Sequence, residues 1–314
     1  MRLKLFAVGV SALSAGCNIH PLPEDISKGD TTYQIVAKVR CEARDAIRRK
    51  AILYLKSSDV ENTRAIGASL ERGVRRFDSV KYSELDPSTR GDFTTYEGTA
   101  IAYEFTLDIT EKNDNSVSLD FLNPFSNGKR TLGVGAGIER QRQNSRNFRV
   151  ADNFGDLARE LPDSYCSVRV KTSNHIYPLL GRVGLAEAID TFIDLNQSGN
   201  IAAKEGGTVK QMADTIDFQT TLKGSASPSI ELTPVTSGVG LSTASLENSV
   251  SRIDKHKLVF ALSLPPSKSA GGKSAPVSPK TTAKSLAIQE LDRQENRDLT
   301  NTLRTLENRV DQLQ

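Results

Sequence analysis

A metal site or a general base would need histidines or paired carboxylates at workable spacing, and this chain offers few. Its three histidines, His20, His175 and His256, lie far apart, and neither C-x-x-C nor H-E-x-x-H occurs. No metal and no cofactor are expected. A serine nucleophile would need a G-x-S-x-G elbow at a strand-to-helix turn, and that pattern is absent from the sequence. Gly133-Val-Gly-Ala-Gly137 is rich in glycine but lacks the lysine-ended pattern of a phosphate loop, and it alternates as a strand does. Asp108 and Glu111 are near enough in sequence to be weighed as an acid and base, since glycoside hydrolysis needs only two carboxylates. No residue is singled out as catalytic.

Chemistry of another kind is written in the opening stretch MRLKLFAVGVSALSAGC. Arg2 and Lys4 form a basic start, and Leu5 to Gly16 is an uncharged run shorter than the roughly 20 residues of a spanning helix. Ser14, Ala15 and Gly16 supply the small side chains that a signal peptidase accepts before Cys17. The arrangement resembles the lipobox of bacterial lipoproteins, with Leu13 one residue further from the cysteine than usual and Ser14 in its place. That resemblance covers these residues alone. It implies a diacylglycerol on the Cys17 sulfur, removal of residues 1–16, an acylated amino terminus and an envelope address. Asn18 after the cysteine implies, by the same resemblance, an outer-membrane protein facing the periplasm. Since no other segment has the apolar length of a transmembrane helix, the acyl chains, at about 0.8 kcal/mol per buried CH₂, are the expected membrane contact.

With Cys17 consumed by lipid, Cys41 and Cys166 remain as an even pair in an oxidising compartment. A disulfide between them is one expectation, and two buried thiols acting as small hydrophobes are the other.

These residues need elements to hold them. Residues 17–32 are rich in Pro, Gly and small polar side chains and read as a tether. From Tyr33 a helical period sets in, with Ile35, Val36, Val39, Ala43, Ile47, Ala51 and Tyr54 on one face. A weaker helical run covers about 60–77, with Gly67 and Gly73 against it. Lys and Arg outnumber Asp and Glu about two to one between residues 31 and 82, a surface for anionic groups or, as the plainer reading, a solvated helix face. The period then becomes two. Tyr103, Phe105, Leu107 and Ile109 share one strand face, Lys112-Asn-Asp-Asn115 looks like a turn, and Val117, Leu119 and Phe121 supply a returning strand. A third strand alternates Leu132, Val134, Ala136 and Ile138 with glycines that permit close packing, and a turn at Asn144 leads to a fourth with Phe148 and Val150.

A similar order of events follows in residues 176–264, with a helix over Leu185 to Leu195 and strands around Phe218 and Leu258 to Leu264. The expected class is α+β, with two similar halves, 33–175 and 176–264, each a helix followed by an antiparallel meander. A Pro/Ser/Lys-rich linker, 265–284, leads to a coiled-coil-like helix over 285–314. Its stripe is Leu299, Leu303, Leu306, Val310 and Leu313, with Leu299, Leu306 and Leu313 at d, Leu303 and Val310 at a, and Asn296 at the preceding a. Self-association or a partner helix is expected there. A net charge of +3 is too small to point to nucleic acid. The leader, linker and stripe together imply a membrane-anchored envelope lipoprotein without a catalytic centre, an assembly or binding module. A lipid-tethered hydrolase of cell-wall or surface glycan, working through paired carboxylates, is the alternative.

Overall fold

The 3.6-residue period that opens at Tyr33 becomes α1 (Thr32–Lys56), which buries Ile35, Val39, Ala43 and Ile47 at four-residue steps. Ala37, Cys41 and Arg44 are buried beside them, so more than one side of this helix is covered. The computed structural model describes residues 32–125, 128–166, 183–203, 209–231, 240–266 and 279–311. The expected leader and tether therefore lie outside the described residues, except Thr32, which begins α1 rather than ending the tether. α2 (Glu61–Glu71) is shorter than its periodic run, because Gly73 turns to φ 69°, a left-handed conformation that ends a helix. Gly67 has a separate use. A Cβ there would stand 2.9 Å from the Leu55 Cβ, so the missing side chain lets α2 approach α1 around Leu55, Ile66, Leu70, Val80 and Leu85.

α3 (Pro87–Glu97) starts on an Asp86 cap whose carboxylate accepts from the Thr89 amide at 3.0 Å, with proline at the first helical position, where its missing N–H costs nothing. α4 (Leu185–Gln197) starts instead on a borrowed cap. The Glu42 carboxylate of α1 accepts from the amides of Val183 and Gly184 at 2.7 Å and of Leu185 at 3.1 Å.

The strands are β1 (Ala100–Phe125), β2 (Gly128–Asn153), β3 (Gln211–Ala226), β4 (Ser229–Glu231) and β5 (Gly240–Ser263). They form one antiparallel sheet in the order β2-β1-β5-β3, with β4 also on β5, so the class is α+β. Two expectations need correction here. The strands of the two halves do not form separate meanders, because β5 pairs with β1 of the other half as well as with β3. The supposed turns at Lys112–Asn115 and Asn144 lie inside unbroken 26-residue strands. Polar residues at those points belong to a strand whose faces are only partly buried, and a ladder neighbour along the whole length overrides local turn preference. Residues 163–166 form a turn, and His256 is buried in β5.

The chain divides into two compact units. One holds residues 30–106, 146–218 and 256–314; the other, among described residues, holds 107–145 and 219–255. In the first unit both sheet faces are covered. Ala100, Ala102, Val259 and Ala261 pack on Ala283, Ala287 and Leu291 of α5 (Pro279–Asp311), while Tyr103, Phe105 and Phe260, of the opposite parity, are fully buried. Phe105 stacks on Phe148 with ring centroids 5.0 Å apart. Since α5 begins at Pro279, the last residues of the expected linker are helical, and its first half docks on its own sheet. The fit follows from small residues at 283 and 287, which let the helix lie close on alanines of the sheet.

Candidate functional surfaces

Of the residues singled out for chemistry, Cys17 lies outside the described residues, as do His20 and His175. Cys41 and Cys166 are joined by a disulfide, with Cα atoms 5.6 Å apart. The turn that carries Cys166 is held against α1 by arginines. Arg40 makes a two-pronged pair with Asp152, at 2.8 and 2.6 Å, and its guanidinium lies over the Tyr165 ring at 5.4 Å. Arg44 and Arg48 both donate to Asp163, at 3.0 and 2.8 Å, and the Arg48 guanidinium holds that carboxyl below its ordinary range. On the other side, Arg49 and Lys50 pair with Asp190 and Asp194 of α4. The basic excess of α1 is thus largely spent inside its own unit. It is neither a free anion-binding surface nor a merely solvated face.

Asp108 and Glu111 do not converge. Three residues apart on one strand, they point to opposite faces: the Gln143 amide donates to Asp108 at 3.0 Å, and Arg252 donates to Glu111 at 3.0 Å. Among the described residues no group of three or more His, Cys, Asp or Glu could hold a metal ion.

A cavity of about 100 Å³ lies in the helical unit between α1, α3 and α4, lined mostly by apolar side chains such as Ile47, Phe77, Phe93 and Ile193. Two tyrosines enter it. The Tyr54 hydroxyl donates to Asp92 and the Tyr96 hydroxyl to the Ile193 carbonyl at 3.4 Å, and burial pushes both groups up to about 12. At neutral pH both are hydrogen-bond donors, not bases.

The other unit is a sheet that no helix covers among the described residues, and its two faces differ. Cross-strand neighbours fix the β1–β2 register: the Cβ sites of Gly133, Gly135 and Gly137 face Asp120, Ser118 and Ser116. That side is small and polar. The opposite side therefore carries Val117, Leu119 and Phe121 of β1 beside Leu132, Val134 and Ile138 of β2, with Leu132 63% and Ile138 59% exposed. β5 continues the pattern, since Ser249 bonds Asp114 and Arg252 bonds Glu111, which puts Leu246 and Val250 on the apolar side. Ser229 opposite Ser245 carries the register to the last strands and adds Leu222. Asn248 and Gly224 interrupt the patch. The expectation of close packing holds at Gly133, where a Cβ would stand 3.0 Å from Asp120 Oδ1, but not at Gly135 or Gly137, where nothing lies nearer than 3.7 and 3.6 Å. The alternation is visible in the sequence; that no described helix covers it is not.

Beyond Leu291, α5 leaves Leu299, Leu303 and Leu306 exposed, while the side chain of Val310 and all of Leu313 lie outside what is described. No described helix is long and apolar enough to cross a membrane, which leaves strands out of account.

Fold and surfaces define an α+β protein with a disulfide-tied helical unit and one antiparallel sheet, whose part in residues 107–145 and 219–255 carries no helix on either face among the described residues. Residues 20–274 match the family described as "Uncharacterised protein y4kA", and the chain belongs to it. A relative of that name from Sinorhizobium fredii is 36% identical over 240 residues, 74% of each chain. Among solved structures, the Salmonella type III secretion injectisome secretin InvG aligns over 63% of this chain and 70% of its own at 6% identity, with a TM-score of 0.17, too low to establish a shared fold.

Proposed function

We propose that this chain is a lipid-anchored protein of the bacterial envelope that works through its surfaces as an assembly or binding module. The observation that carries the reading is the pairing of two of the three cysteines. Cys41 and Cys166 are bonded to each other, which belongs to an oxidising compartment, and this leaves Cys17, at the end of a stretch that resembles a lipoprotein leader, for the lipid. Two exposed apolar surfaces, the sheet face and the Leu299–Leu306 stripe, support an assembly role. Growth with a labelled fatty acid tests the anchor. The wild type should carry label into the membrane fraction and Cys17→Ser should not; label kept by that variant sinks the assignment.

A further inference from the structure

The bare sheet has the alternation of a strand that faces hydrocarbon on one side and water on the other. On β2 the apolar side reads Leu132, Val134, Ala136, Ile138, and the same parity places Arg130 before this run and Arg140 after it. The span from Arg130 to Arg140, at about 3.3 Å per residue and a tilt of about 40°, rises about 25 Å, the height of the apolar band of a membrane barrel. On β1 the run Val117, Leu119, Phe121 is preceded on the same side by Glu111, Asn113 and Asn115, and Glu111 is paired with Arg252 of β5. The opposite face carries glycines on β2, Ser116, Ser118 and Asp120 on β1, and Thr243, Ser245 and Glu247 on β5. Such a face suits water, and the charges that bracket the apolar side suit lipid head groups.

A sheet with open edges cannot enter hydrocarbon, because its unpaired N–H and C=O groups would have no partner there. The strand order supplies the remedy. Among the described residues β2 is one edge and β3, with β4 beyond it along β5, is the other, and since each neighbour in β2-β1-β5-β3 is antiparallel, β2 and β3 run in opposite directions. β2 of one copy can therefore meet β3 of the next with the ladder still antiparallel, and repetition closes a ring with an even number of strands. We infer that the described strands within residues 107–125, 128–145, 219–231 and 240–255 are the membrane-spanning part of a β-barrel built from several copies of this chain, with Val134 and its neighbours against lipid and the Gly135 face lining a water-filled pore. The inference rests on the envelope reading for its location, and it adds a membrane contact beyond the lipid on Cys17.

Single cysteines test it, because Cys41 and Cys166 are bonded and Cys17 is acylated on the envelope reading. Full-length Val134→Cys, Gly135→Cys, Ala136→Cys and Gly137→Cys are labelled with an environment-sensitive fluorophore and reconstituted into phosphatidylethanolamine–phosphatidylglycerol vesicles. A Cβ at 135 or 137 meets only ordinary contacts, so these variants keep the register. Nitroxide-bearing lipids should quench positions 134 and 136 several-fold more than 135 and 137, and aqueous iodide should show the reverse. The same preparation should give discrete conductance steps in planar bilayers. Equal quenching of all four positions, or shielding of 134 and 136 from both quenchers, as a protein partner on that face would produce, overturns the inference. Alternating quenching without fatty-acid label on the wild type would remove the anchor and leave the barrel; label without alternation would do the opposite.

Discussion

Removing the Cys41–Cys166 bond should be the costliest single covalent change available in this chain. The two residues are 125 apart, and the chain-entropy relation for a loop of that size gives about 4.9 kcal/mol of lost stability at 25 °C. Native contacts do not replace that term, which acts on the unfolded ensemble. The pairs Arg44–Asp163 and Arg48–Asp163 hold the 163–166 turn only once the chain is folded. Against a typical total of about 5–15 kcal/mol the loss is severe. The assay is urea unfolding of Cys41→Ser/Cys166→Ser and of the oxidised wild type with and without reductant. With a slope of about 1–3 kcal/mol/M, the midpoint should fall by roughly 1.5–5 M in the variant and in reduced wild type alike. An unchanged midpoint, or two titratable thiols at 41 and 166 in the oxidised protein under denaturant, would refute the reasoning.

Other expectations follow from single contacts. Leu291→Ala removes a buried contact between α5 and the sheet and should cost about 2–5 kcal/mol, whereas Leu303→Ala, on the exposed half of the same helix, should stay within about 0.5 kcal/mol; thermal unfolding of both compares them. Asp86 is held down to about 2, chiefly by the Thr89 amide, so its contribution is present above the ordinary value of 3.8 and is lost as pH falls toward 2; melting temperatures of Asp86→Asn should show a flatter dependence across that window. Tyr54 and Tyr96, raised to about 12 by burial, should remain un-ionised when exposed tyrosines titrate. Stability tied to them is complete below 10 and lost as pH rises through 12, which ultraviolet titration beside circular dichroism will follow.

The sequence announces strongly periodic elements and is silent on what covers them. Ile35, Val39, Ala43 and Ile47 mark α1, and Tyr103 to Ile109 mark β1, because one covered face imprints its period. The strands continue through 111–115 and 142–145, where both faces are polar and only partly buried, and there the residue types match those of a turn. α3 was passed over although Asp86-Pro87 carries a start signal, since its weak apolar period gave no second cue. The pairing of β5 with β1 has no local signature, as a ladder partner is chosen by the whole sheet. Of the candidate surfaces, the alternation at 132–138 was plain, but only the register to β1 and β5 shows it to be one continuous face.

The strand order also dictates a timetable. Entering the oxidising compartment amino terminus first, the chain presents β1 and β2 first, yet the far side of β1 waits for β5, and β3 stands without a neighbour until β5 arrives. Cys166 emerges well before Gly240, so the covalent loop around the first hairpin can close while the sheet is still half made. During that interval β1 presents a long open ladder, the kind of edge that recruits strands from other chains. Closing the sheet depends on a pairing remote in sequence, which makes it the slow step. A chain truncated before β5 would therefore be expected to accumulate as aggregates rather than as a smaller folded protein, a point that matters for any attempt to produce it in pieces.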